Sequence, residues 1–128
     1  MTLTQCEFSI DRYKNVIYIT ITGVWTIQKD LEYISKLVEF VQVFKGREWG
    51  MCVDMRGWIL PKEVFESPFK SKLMLNRRTQ IAEVWIVDHE KQGDELLPYF
   101  KESKVVPFKV FTKTEALKYF KRLGIEIP

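Results

Sequence analysis

Asp54, Asp88 and His89 are the residues whose types and positions come nearest to a site for chemistry. Asp54 lies in the run WGMCVDMRGW (Trp49–Trp58), and Asp88 closes the apolar run Ile81–Asp88 with His89 directly after it. Ligands of open α/β sheets gather beyond the carboxyl ends of the strands, so neighbouring strands would bring all three to one edge. Two carboxylates and an imidazole there suit proton transfer or metal binding. The plainer reading has the aspartates accepting loop amides and His89 solvated in a turn, because spacing alone does not build a site. The chain has no glycine-rich phosphate loop, no nucleophile elbow and no His-x-x-x-His pair. A non-catalytic protein without cofactor or metal is expected.

The two cysteines, Cys6 and Cys52, have no metal-ligand spacing and are too few for a disulfide framework, so reduced thiols are expected. The amino terminus lacks a basic start followed by an apolar stretch, and no apolar run reaches membrane-spanning length. A cytoplasmic location with no integral membrane segment follows as the expectation. The net charge of +3 is too mild to indicate nucleic acid as a partner. A chain of 128 residues, 46% hydrophobic and 29% charged, is long and apolar enough for one globular domain over residues 1–128.

The elements that position these residues alternate between two periods. Glu7–Tyr13 and Val16–Trp25 read as a hairpin interrupted by the polar cluster Asp11–Asn15. Thr26 caps a helix whose stripe is Ile27, Leu31, Ile34, Val38, Val41 and Phe44, with Gly46 ending it. The order strand, helix, strand makes Ile17–Thr22 and Met51–Met55 a parallel pair. In both strands one face is apolar (Ile17, Ile19, Ile21, Met51, Val53, Met55) and expected under helices. The other (Tyr18, Thr20, Thr22, Cys52, Asp54, Arg56) is expected to meet solvent, a loop or another chain.

Trp58–Phe69 reads as an apolar loop, and Ser67-Pro68 as the start of a helix to about Thr79 whose outer face carries Lys70, Lys72, Arg77 and Arg78 in solvent. Ile81–Asp88 is a buried strand, Gly93-Asp94 opens a short helix to about Ser103, and Val105–Thr112 is the last strand. Thr112 and Glu115 form a capping box for a closing helix with Ala116, Leu117, Phe120 and Leu123 inward and Gly124 at its end.

This order, together with Gly23-Val24-Trp25, Trp49, Val53-Asp54-Met55-Arg56-Gly57-Trp58, Pro61 and Phe111–Phe120, resembles the STAS-type domain of bacterial anti-sigma-factor antagonists, and within it a SpoIIAA-like bacterial subgroup. The resemblance implies a SpoIIAA-like (STAS-like) α/β fold: a mixed sheet with an antiparallel lead hairpin, then parallel β-α repeats, with helices mainly on one face. Phosphorylated members carry an Asp-Ser-Ser-Gly-type turn after the central strand. Here Arg56–Pro61 offers no hydroxyl, so the phospho-switch is not expected.

The function expected is a regulatory or protein-interaction module lacking that serine. The alternative is a small carrier of an apolar or lipid-like ligand, because the CRAL-TRIO-type lipid-binding fold has a similar plan. The expected partners are a second copy, as a homodimer, and a further protein. The expected contact residues are Asp54, Arg56, Trp58, Ile59, Leu60, Phe65 and Phe69, because the segment from Trp58 carries more apolar surface than a connection needs.

Overall fold

The computed structural model describes residues 6–67, 75–101 and 103–127. Strands β1 (Glu7–Tyr13) and β2 (Val16–Val24) form the antiparallel lead hairpin, turning at Lys14-Asn15 with Lys14 at a φ of 56°. Helix α1 (Ile27–Gln42) starts where the Thr26 hydroxyl accepts the Lys29 amide at 3.1 Å. Its buried stripe is Asp30, Ile34, Leu37 and Val41, while Ile27 is exposed. The buried stripe differs from the expected one: Asp30 and Leu37 turn inward while Leu31 and Val38 are half-buried, and a reading by hydrophobicity passes over a buried carboxylate.

Strand β3 (Trp49–Asp54) lies parallel between β2 and β5 (Gln80–Ile86), and β6 (Phe108–Val110) completes the path β1-β2-β3-β5-β6. A two-residue strand β4 (Trp58–Ile59) continues beside the end of β2, and helix α2 (Lys62–Phe65) follows it. The expected strand Val105–Thr112 shortens to β6. Pro107 has no amide to donate, so the ladder begins at Phe108, and Thr112 is already the cap of α3 (Lys113–Arg122).

Ile17, Ile19, Ile21, Met51, Val53 and Met55 form one core with Leu37, Val41 and Phe44 of α1 and Phe100 of a 3-10 helix (Asp94–Phe100). Most of the helical cover lies on that face. The opposite face is closed as well: Val16, Cys52, Val84 and Ile86 pack against Ala116 and Phe120 of α3. Cys52, expected to meet solvent, a loop or another chain, is 0% exposed. Cysteine behaves as a small hydrophobe, so grouping it with Asp54 and Arg56 mistook a doubly buried strand for a one-sided one.

The helix expected over Pro68–Thr79 falls for residues 68–74, Lys70 and Lys72 included, outside the described residues. Leu75–Thr79 is not helical. Asn76 Oδ1 accepts the Arg78 amide at 3.1 Å, a local bond that competes with helix, and Arg77 turns inward to Glu83 instead of facing solvent. At the far end, Gly124 at a φ of 79° lets the Ile125 amide reach Phe120 O at 3.0 Å. That closure buries Ile125 and leaves Leu123 exposed, where Leu123 was expected inward. No helix among the described residues is long and apolar enough to cross a membrane.

Candidate functional site

The parallel pairing of β3 with β5 brings Asp54 and Asp88 to the same turn. Asp54 Oδ1 accepts the Arg56 amide at 3.2 Å and Arg56 Nε at 2.9 Å, while its Oδ2 takes Arg56 Nη2 at 2.7 Å. This two-pronged pairing is the strong form of a carboxylate–guanidinium contact. It is the main reason the Arg56 pKa is raised, the Asp54 hydrogen bond outweighing the small effect of burial. Asp88 Oδ2 accepts the Gly57 amide at 2.7 Å. Both carboxylates are thus engaged by the turn's own donors, and His89 is exposed beside them. Among the described residues no group of three or more His, Cys, Asp or Glu side chains is placed to hold a metal ion.

Gln92, which carries no signal in the sequence, fastens this edge from beneath. Its Oε1 accepts the Asp88 amide at 2.7 Å, and its Nε2 donates to Met55 O at 2.6 Å and Trp58 O at 3.1 Å. The turn is therefore held from both strands. Outside it, Ile59 and Val24 are register partners that stand 58% and 54% exposed, and Ile27 opens α1 nearby, also exposed. Leu60 and Phe65 are half-buried, and Phe69 lies outside the described residues. Trp58 is 7% exposed and packs edge-on against Trp25 with ring centroids 5.9 Å apart, so its apolar surface is spent inside the chain.

Beneath α1 the same face of the sheet lines a partly open cavity of about 270 Å³. Met51 and Val53 line it from β3, Met55 from just beyond that strand, Tyr33 and Leu37 from α1, and Phe100 from the 3-10 helix. The volume falls just below the range of small-molecule pockets, roughly 300–1,000 Å³, and the lining is mostly apolar, as in such pockets.

One end of the cavity is polar. Glu83 is 2% exposed, and its Oε1 accepts Arg77 Nη1 at 2.6 Å and Gln80 Nε2 at 2.8 Å while its Oε2 accepts Trp85 Nε1 at 2.7 Å. Arg77 also lies over the Phe100 ring at 4.1 Å. Burial first, and then the Glu83 carboxylate, push the Tyr33 hydroxyl well above its ordinary pKa of 10, so it stays protonated. Glu83 was not singled out in the sequence and Arg77 was expected in solvent, because two charged residues six apart across a turn carry no motif.

No family model matches the chain, and no curated protein matches it by sequence. In structure it is similar to an anti-sigma factor antagonist from Mycobacterium paratuberculosis, with a TM-score of 0.55 over 91% of this chain and 95% of that one. The fold is STAS-like. The two sequences are 12% identical, so the likeness concerns the fold alone. In this STAS-like chain the turn after β3, Arg56–Pro61, has no hydroxyl side chain, and the next serine, Ser67, is buried.

Proposed function

We propose that this STAS-like chain is a non-catalytic, cytoplasmic regulatory module that works by protein contact, without a phosphorylated serine, and that it forms a homodimer. The observation that carries the reading is the exposed pair Val24 and Ile59 on paired strand ends beside a turn locked by Asp54, Asp88 and Gln92. A rigid apolar patch beside an arginine is suited to docking, because little freedom is lost when it binds. The structural neighbour is by its description an antagonist of an anti-sigma factor, hence a protein that acts on another protein, and that supports the reading. The contact surface is then Asp54, Arg56, Ile59, Leu60 and Phe65, with Trp58 supporting it from within.

Sedimentation tests this. The wild type is expected to be a dimer at high micromolar concentration, and Ile59→Asp with Val24→Ser a folded monomer of unchanged thermal stability. A wild type that stays monomeric removes the homodimer from the proposal.

The cavity beneath α1 favours a second reading, a carrier of a small apolar ligand. Soaking with small apolar probes and following the methyl resonances of Met51 and Val53 tests it.

A further inference from the structure

An open groove of about 640 Å³ lies between α3 and the turn of the lead hairpin. Gly50 stands beside Val16 and Asp54 beside Thr20, so the hairpin turn marks the end of the sheet away from the Asp54 turn. Ala116 and Phe120 point from α3 into the core, and Leu117 and Lys121, each the next residue, stand on the flank that lines the groove. Lys113, one turn earlier on that flank, has its Nζ over the Tyr18 ring at 5.3 Å, and Tyr18 meets Tyr13 edge-on with centroids 6.4 Å apart. From Lys113 to Lys121 the flank runs about 12 Å beside the hairpin.

Charge and shape narrow what the groove takes. Arg12, Lys14 and Lys121 line it with one acid, Glu126, and all four are exposed. Lys29, Lys36, Arg56, Lys62, Arg77 and Lys109 each hold a carboxylate elsewhere. Among the described residues no ion pair joins Arg12, Lys14, Lys113 or Lys121 to an acid, so this end of the chain complements an anionic partner. Between the cations, Leu117, Ile127 and Tyr13 add apolar lining. A run of phosphates would face Glu126 and leave that apolar lining uncovered, and a membrane surface is flat where this one is concave. An extended peptide answers both kinds of group, because its side chains alternate. Apolar side chains then cover Leu117 and Ile127, and carboxylates point to the rim, where the long lysine stems reach them.

We infer that this groove docks an extended acidic segment of another protein, in which carboxylates alternate with apolar side chains. About four residues of such a segment, at roughly 3.3 Å each, match the length of the flank. The groove is a second contact surface, apart from Val24 and Ile59, and it rests on neither the homodimer nor the carrier reading.

Titration of the ¹⁵N-labelled full chain with the peptide acetyl-Glu-Leu-Glu-Leu-Glu-amide tests this, with a control peptide carrying glutamine for each glutamate. The acidic peptide is expected to shift the Leu117, Lys121 and Ile127 amide resonances and to leave those of Val24 and Ile59 in place. Its affinity should fall several-fold between about 0.05 M and about 0.5 M salt, because screening shortens the reach of exposed charges. In Lys14→Asp with Lys121→Glu the affinity should drop about tenfold, the worth of two exposed ion pairs, with the thermal melt unchanged. Aspartate suits the Lys14 position because it tolerates the φ of 56° there. No shift at Leu117 and Ile127, or an equal shift with the glutamine peptide, overturns the inference. So does tighter binding of oligothymidylate at these resonances, or co-sedimentation with phosphatidylserine vesicles that the double variant abolishes. Any of these results leaves the Val24–Ile59 contact to be judged by sedimentation alone.

Discussion

Glu83 Oε1 and Arg77 Nη1 lie 2.6 Å apart under α1, with Glu83 almost wholly out of water. Breaking a buried pair from one side leaves an uncompensated charge, which costs about 3–5 kcal/mol. Glu83→Ala should therefore lose most of the stability of the domain in urea titrations. Glu83→Leu with Arg77→Met should recover part of it. Recovery stops short by about 1–3 kcal/mol, because Trp85 Nε1 and Gln80 Nε2 still lose their acceptor. Full recovery would show that the carboxylate's other donors find partners elsewhere.

Val53 and Cys52 are neighbours on β3 that enter opposite cores. An unpaired carboxylate buried on either side costs several kcal/mol, comparable with the whole stability of a typical domain. Val53→Asp and Cys52→Asp should both give unfolded chains by circular dichroism. A folded Cys52→Asp would mean that α3 does not cover this face.

Gly93 separates two costs of adding a methyl group. Its φ is +86°, and a Cβ there would stand 2.7 Å from Trp85 Cζ3. Gly124 has a similar φ of +79° with nothing within 4 Å. Gly124→Ala should lose only the backbone term, about 1–2 kcal/mol, whereas Gly93→Ala adds about 1–3 kcal/mol of overpacking. Equal losses for the two variants would place the Trp85 ring away from Gly93.

Burial, and then the Asp54 carboxylate, push the Cys52 thiol from 9.0 up to about 12. The folded chain therefore holds this proton at pH values where the unfolded chain releases it. Stability from this source is complete below pH 9 and declines as the pH rises toward 12. Tyr18, raised from 10.0 to about 12 mainly by burial, adds to the decline only above pH 10. Cys52→Ala should flatten the loss between pH 9 and 10 in thermal melts, and a Cys6→Ser chain should resist thiol reagents until denatured. Rapid labelling of the folded Cys6→Ser chain would contradict the burial.

Incubation with a kinase of the anti-sigma type should leave the chain unmodified. Arg56–Pro61 has no hydroxyl, and the Ser67 hydroxyl is buried. Stoichiometric phosphate on Ser67 by mass spectrometry would overturn this.

What the chain says by itself is local. Thr26 and Thr112 mark both long helices because capping needs only a hydroxyl and an amide three residues on, and both bonds are present at 3.1 Å. The alternation in Ile17, Ile19 and Ile21, and in Met51, Val53 and Met55, identifies the face under α1 because strand side chains alternate strictly. Asp54 was legible as a strand end, whereas Asp88, expected to close its strand, stands two residues past the end of β5 at Ile86. Their shared turn was not, since it depends on β3 lying beside β5 and on Gln92 reaching back 37 residues to Met55. Burial of Cys52 was decided by α3 arriving on the second face, Arg77 by a buried Glu83, and Trp58 by the fold of β4 onto β2. The cavity exists only between elements far apart in the chain, and no pattern of residue types announces an empty space. Periodicity and capping act over a few residues and can be read there; the partner of a side chain, or its lack of one, is settled only when distant segments meet.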